Sequence, residues 1–138
     1  MSKKPINIVW FKRDLRFTDH EPLYRALASD IPVLLVYFFE PSLIAFPDSD
    51  VRHWRFIHES LVEMQGRLED RNGVLYLFHS EVLPVFQALS EQYDIRQIFS
   101  HQEIGNDLSF QRDKAVAAFC SSNGINWNET PPGGVIRR

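Results

Sequence analysis

Hydrophobic positions fall into two recurring patterns along this chain. Residues 6–11 (INIVWF) and 32–39 (PVLLVYFF) are short continuous apolar runs, rich in β-branched and aromatic residues, with polar Asn7 inside the first. Continuous rather than alternating apolarity predicts strands covered on both faces. Residues 74–78, 97–100 and 125–127 are shorter runs of the same kind. Between the runs the apolar step changes to three and four. Trp54, Ile57, Leu61, Met64 and Leu68 mark one face of the longest helix, with Arg, Glu and Gln between them. Residues 48–50 offer its N-cap, and Asn72-Gly73 a C-terminal stop. Thr18 and Glu21 have the spacing of a capping box, with Pro22 in the first turn, so a short helix is expected to run to Ala28. Further helices are predicted over 83–93 and from an Asn106 or Asp107 cap through Val116, Phe119 and Cys120 to Asn123-Gly124.

This βαβαβαβαβ order predicts an α/β fold, a three-layer α/β/α Rossmann-like domain with a five-stranded parallel sheet and right-handed crossovers. The domain is expected to occupy residues 1–130. Thr130-Pro131-Pro132-Gly133-Gly134 reads as a linker, so 131–138 lie beyond it. A chain of 138 residues has the length of one domain. It is long enough to bury roughly two thirds of its unfolded surface, without help from a metal or disulfide.

Charge and cysteine content narrow the function classes. The formal net charge is −3, which lacks the basic excess of a dedicated nucleic-acid binder. Only a local basic patch at Lys12, Arg13 and Arg16 remains. Cys120 is the single cysteine, without zinc-like spacing, and reads as a buried reduced thiol. The apolar run after Lys3 and Lys4 is too short for a signal segment, and nothing approaches a membrane span, so a cytoplasmic location is expected.

Ligands of open parallel sheets bind beyond the carboxyl ends of the strands, where strand order reverses. The stretch VWFKRDLRFTDHEPL places Lys12, Arg13, Asp14 and Arg16 directly after the first strand. One reading pairs these charges internally, Asp14 with an arginine, while their stems cover the sheet edge. The other uses the cations to hold a phosphate or carboxylate. Arg52, His53 and Arg55 fall in the first turns of the long helix, where the dipole favours anions rather than cations. His101, Gln102, Glu103, Asn106 and Asp107 form a polar cluster after the fourth strand. It reads either as a helix cap with a solvated turn or as hydrogen-bonding groups for a heterocycle. Phe38 and Phe39 end the second strand, and one of them is expected to offer a stacking face. Trp54 and Trp127 are read as core, and His20, His58 and His79 as ordinary positions. The sequence contains no G-x-G-x-x-G after the first strand, no P-loop and no G-x-S-x-G elbow. These absences argue against a nicotinamide dehydrogenase, a P-loop NTPase and an α/β-hydrolase.

Four ordered blocks carry a family resemblance. WFKRDLRFTDHEPL resembles the opening W-x-R-R-D-L-R-x-x-D-N-P-A-L of photolyases and cryptochromes, and RHWRFIHESLVEMQGRL their N-R-W-R-F-L-x-E-S-L-x-D-L helix. QEIGNDLSFQRDKAV is similar to their segment of Glu, Asn and a closing Arg-Asp, and GGVIRR to the end of their first domain. The resemblance implies an N-terminal α/β domain followed by a larger helical domain that binds FAD. In the full-length protein, light absorbed by FAD splits pyrimidine dimers in DNA, a lyase activity. In many members the α/β domain also holds an antenna chromophore: methenyltetrahydrofolate, 8-hydroxy-5-deazaflavin or FMN. On this reading the chain is a domain fragment that is not catalytic alone. Its partner is the helical domain, it meets DNA only through the full-length protein, and its docking face invites self-association. The implied antenna neighbours are Lys12, Arg13, Phe38, Phe39, Arg52 and Arg55. Asn106 and Asp107 stand where folate-binding members use Asn-Glu, and Asp14 and Arg16 serve the turn and the interdomain contact. Three alternatives accompany this reading: a cryptochrome photoreceptor domain, a nucleotide-binding domain like the universal stress proteins, and an interaction domain without ligand.

Overall fold

The computed structural model describes residues 3–12, 15, 17, 20–44, 51–69, 74–103 and 107–131, without the side chains of 51–53 and 69. In chain order the elements are β1 (Lys4–Phe11), α1 (Glu21–Leu27), β2 (Val33–Phe38), α2 (Pro41–Ile44) and α3 (Val51–Glu69). Then follow β3 (Leu75–Phe78), α4 (Val82–Gln92), β4 (Tyr93–His101), α5 (Asp107–Ser122) and β5 (Asn126–Thr130). The strands form one five-stranded sheet in the order β3-β2-β1-β4-β5, with every pair parallel.

β1 is central, and its side chains alternate between two cores. Ile6, Ile8 and Trp10 pack with Val82 and Phe86 of α4 and Val116 and Cys120 of α5. Val9 and Phe11 pack with Leu23 and Ala26 of α1 and Ile57, Leu61 and Met64 of α3. Helices therefore cover both faces, which is why β1 reads as an apolar run interrupted only by Asn7. Each fully buried side chain of this size contributes roughly 1.5–3 kcal/mol. Trp54 and Trp127 are partly buried against the two cores, as expected. The Cys120 thiol is buried and unbridged, and burial pushes its pKa up to about 11.

Three local features differ from the sequence reading. First, the cap of α1 is His20 rather than Thr18: the Leu23 N–H donates to His20 Nδ1 at 3.1 Å. Glu21 is then the first helical residue, and Thr18 itself lies outside the described residues. Second, β4 begins at Tyr93, directly after the last residue of α4. Its first half carries Asp94 and Arg96 on either side of the buried Ile95, paired to each other at 2.6 Å, so its continuous apolar run starts only at Ile98. Third, the short α2 follows β2 without an apolar period long enough to announce it. The stop of α5 is as predicted: Gly124 adopts φ of 67°, and the Ile125 N–H donates to Cys120 O at 2.9 Å. The expected caps at 48–50 and 72–73 and most of the 130–134 linker lie outside the described residues. No helix among the described residues is long and apolar enough to cross a membrane.

Candidate functional site

The chain reverses its direction across the sheet between β1 and β4, so the topological switch point lies beside the end of β1. The two faces of the sheet are built differently at this carboxyl edge.

On the α4/α5 face the edge is closed by charge. Lys12 continues the side-chain alternation past Trp10, and its ammonium sits 4.2 Å from the Trp10 ring centroid and 5.3 Å from that of Trp127. Those two indoles stack at 5.7 Å. Lys12 Nζ pairs with Asp113 Oδ1 at 3.3 Å and approaches Glu103 Oε1 at 4.0 Å. Arg112, from the same turn of α5 as Asp113, is the hub. Its Nε donates to Asp113 at 2.8 Å, Nη1 to Glu40 Oε1 at 2.6 Å, and Nη2 to Glu103. The guanidinium also lies 5.0 Å from the Trp10 centroid. Two cations thus meet three carboxylates from the ends of β1, β2 and β4 and from α5.

The electrostatics show which effect dominates at each group. Burial lowers the Lys12 pKa, more than Asp113 and Glu103 restore it. Burial raises the Glu40 pKa against the opposing pull of Arg112. For Arg112 burial acts downward, yet the Glu40, Glu103 and Asp113 carboxylates outweigh it and raise the value. The arginine is thus a permanent cation whose fork matches several carboxylates at once.

On the α1/α3 face the edge is aromatic. Phe39 is half-buried, with its ring 5.1 Å from Tyr37 and 6.4 Å from Trp54 near the start of α3. Phe11 contacts Phe17 at 6.0 Å and the buried His20 ring at 4.7 Å, and His20 meets His101 at 4.8 Å. No group of three or more His, Cys, Asp or Glu suited to a metal occurs among the described residues.

The residues singled out from sequence therefore separate. Lys12 is engaged within the ion network, with a side chain only 3% exposed. Phe38 is committed to the core, stacked on Phe78 at 5.3 Å and edge-on to Trp10 and Phe86. Phe39 is the one of the pair that stays partly open. Arg55 is exposed in the second turn of α3, and Asp107 is exposed at the first position of α5. The Arg52 backbone lies in the first turn of α3, and its side chain is not described; Arg13, Asp14, Arg16 and Asn106 lie outside the described residues. Sequence reading missed Glu40, Arg112 and Asp113 as site residues. Glu40 repeats the signal seen after β1, an abrupt charge at the end of a continuous apolar strand. His20, read as an ordinary position, is a fully buried helix cap.

A parallel sheet wound in both directions from β1, closed by charge on one face of its switch point and lined by aromatic rings on the other, has the α/β architecture in which ligands bind beyond the carboxyl ends of the strands. Comparison with known proteins narrows the class. The DNA photolyase family matches residues 7–134, and the chain belongs to that family. The match covers the family's N-terminal α/β domain and sets aside the stress-protein reading. The chain is 29% identical over 106 residues to the chloroplastic/mitochondrial cryptochrome DASH of Arabidopsis thaliana, covering 72% of this chain and 19% of that protein. It is 30% identical over 105 residues to cryptochrome DASH of Synechocystis, covering 72% of this chain and 22% of that protein. Among solved structures, a class III photolyase from Agrobacterium tumefaciens matches with a TM-score of 0.77 at 25% identity, over 95% of this chain and 26% of that one. The Synechocystis cryptochrome shares the fold, with a TM-score of 0.80 at 24% identity over 94% of this chain and 28% of that one. The chain thus spans about a fifth of the length of the first two relatives.

Proposed function

We propose that this chain is the antenna-holding α/β domain of a photolyase-like flavoprotein, and that the antenna sits on the α1/α3 side of the carboxyl edge. The observation that carries this reading is the half-buried Phe39–Trp54 pair beside the start of α3. A flat heteroaromatic ring needs apolar faces to stack on, and an attached phosphate needs a cation or helix N-terminus nearby. Phe39, Trp54 and the arginines at 52 and 55 are the residue types that meet those needs. The residues present therefore fit FMN or an 8-hydroxy-5-deazaflavin. When bound, the antenna absorbs near-ultraviolet to blue light and passes the excitation on. The chain's own part is to hold the ring, exclude water from one face and fix its distance to the rest of the protein. Asn106 and Asp107 are the positions a folate would engage instead. Phe38 and Lys12 belong to the opposite face of the sheet, Phe38 packing in its core and Lys12 held in the ion network; Arg13, the next cation in sequence, is a further candidate for the phosphate.

The activity of the whole protein follows as part of the same proposal. A helical FAD-binding domain beyond the 131–138 linker carries the light-driven repair of pyrimidine dimers and the contact with DNA, in the cytoplasm. The chain by itself does not split dimers; dimer splitting by this chain with added FAD and light would contradict that. A photoreceptor role is the second reading, favoured by the cryptochrome DASH relatives. The antenna proposal is tested by titrating the purified chain with FMN and following flavin fluorescence. Saturable quenching that weakens in Phe39→Ala supports it, and quenching that is indifferent to Phe39 removes its basis.

A further inference from the structure

β3 is an edge strand: it pairs with β2 on one side and lies at the end of the sheet. An edge strand presents a row of backbone N–H and C=O groups to any passing strand, and most proteins blunt such edges with charges, proline or bulges. The opposite edge, β5 (NWNET), is polar and carries Glu129. β3 (LYLF) has no charge and no proline. Its Tyr76 and Leu77 are 45% and 43% exposed, and the preceding Val74 is 52% exposed. By side-chain composition this is the edge open to strand addition.

The backbone shows how the opening is filled. Successive residues of a strand turn their N–H and C=O groups to opposite sides. The Phe78 C=O points inward, accepting from the Phe39 N–H at 2.7 Å. Leu75 and Leu77, of the other parity, point outward. At Leu75 the outward pair is taken by one side chain. Gln65 Nε2 donates to Leu75 O at 2.5 Å, and the Leu75 N–H donates to Gln65 Oε1 at 3.1 Å. Gln65 lies next to Met64 of the buried stripe of α3, which positions its amide over the strand edge. The primary amide makes the two bonds that a residue of a sixth strand would make.

We propose that Gln65 occupies the strand-addition site of β3, a built-in contact that keeps this edge from pairing with the extended β3 of a second copy of the chain. With Gln65 in place, only the outward groups of Leu77 remain on the described strand, too short a ladder to hold a partner. Removing the amide exposes two outward residues in succession beside the apolar Val74, Tyr76 and Leu77.

Sedimentation equilibrium over a range of concentrations tests this. Gln65→Ala should self-associate about tenfold more tightly than the parent chain, a difference of about 1.4 kcal/mol. Adding Leu77→Pro, which removes an outward N–H from an edge position that tolerates proline, should return the variant to the parent's behaviour. Should Gln65→Ala not fold, Gln65→Asn, one methylene too short to reach both groups, should show the same direction of change. The proposal is overturned if the variants exchange the Leu75 amide faster yet associate no more tightly. It is equally overturned if the association persists unchanged in the Leu77→Pro background.

Discussion

The two faces of the carboxyl edge share the same strand ends yet solve opposite problems. On the α4/α5 face, Lys12 and Glu40 arrive at the ends of β1 and β2 and are met by Arg112 and Asp113 of α5 and by Glu103. Every one of these charges is mostly buried and engaged. On the α1/α3 face, Phe39 follows the same β2 one residue earlier, and it stays partly exposed. A single residue step along a strand changes the face, so a charge knot and an aromatic surface stand back to back. The abrupt charges of Lys12 and Glu40 are thus engaged in structure on one face, and the quieter aromatic ending on the other is the better ligand candidate.

The charged face depends most on Arg112. Arg112→Ala leaves Glu40, Glu103 and Asp113 without their shared cation and should lower stability by about 3–5 kcal/mol, as for a broken buried ion pair. Urea unfolding measures this, and a loss near that of a surface pair would show the knot to be dispensable. On the other face, Phe39→Ala should weaken flavin binding about tenfold, roughly 1.4 kcal/mol, with fluorescence titration as the check. The acidity of Glu40 gives a subtler probe. Because burial raises its pKa above the ordinary 4.5, the folded state holds the proton more tightly than the unfolded state. That contribution is present at low pH and is lost as pH rises through the raised folded value. The stability of the parent chain relative to Glu40→Gln should therefore fall as pH rises from the carboxylate range toward neutrality; a rise instead would mean that the Arg112 pairing outweighs burial. The smallest effect is expected at Arg55, which is exposed: Arg55→Ala should change stability by no more than about 0.5 kcal/mol while weakening flavin binding. Equal binding would move the site away from the start of α3.

Much of the fold was legible in the sequence because β1 and β2 are nearly continuous apolar runs and α3 keeps a strict three-four step. The carboxyl edge was legible as a place, since the charges at Lys12 mark where β1 stops. Its wiring was not. Lys12 and Asp113 lie 101 residues apart, and no local pattern says which carboxylate a buried lysine will meet. The same holds for Gln65, an ordinary polar residue on a helix until β3 folds beneath it. His20 escaped notice for a different reason: histidine is an uncommon cap, and Thr18 with Glu21 offered the commoner one. The start of β4 was missed because Asp94 and Arg96 flank the buried Ile95 and leave it no apolar neighbour in sequence beyond Tyr93.

The most direct test sets the two faces against each other in one titration. Phe39→Ala and Lys12→Met are each titrated with FMN beside the parent chain, with folding confirmed by circular dichroism. Phe39→Ala should bind about tenfold more weakly, whereas Lys12→Met, though less stable, should bind as the parent does. Loss of binding in Lys12→Met with full binding in Phe39→Ala would contradict the aromatic-face proposal, because the ligand would then belong to the charged face.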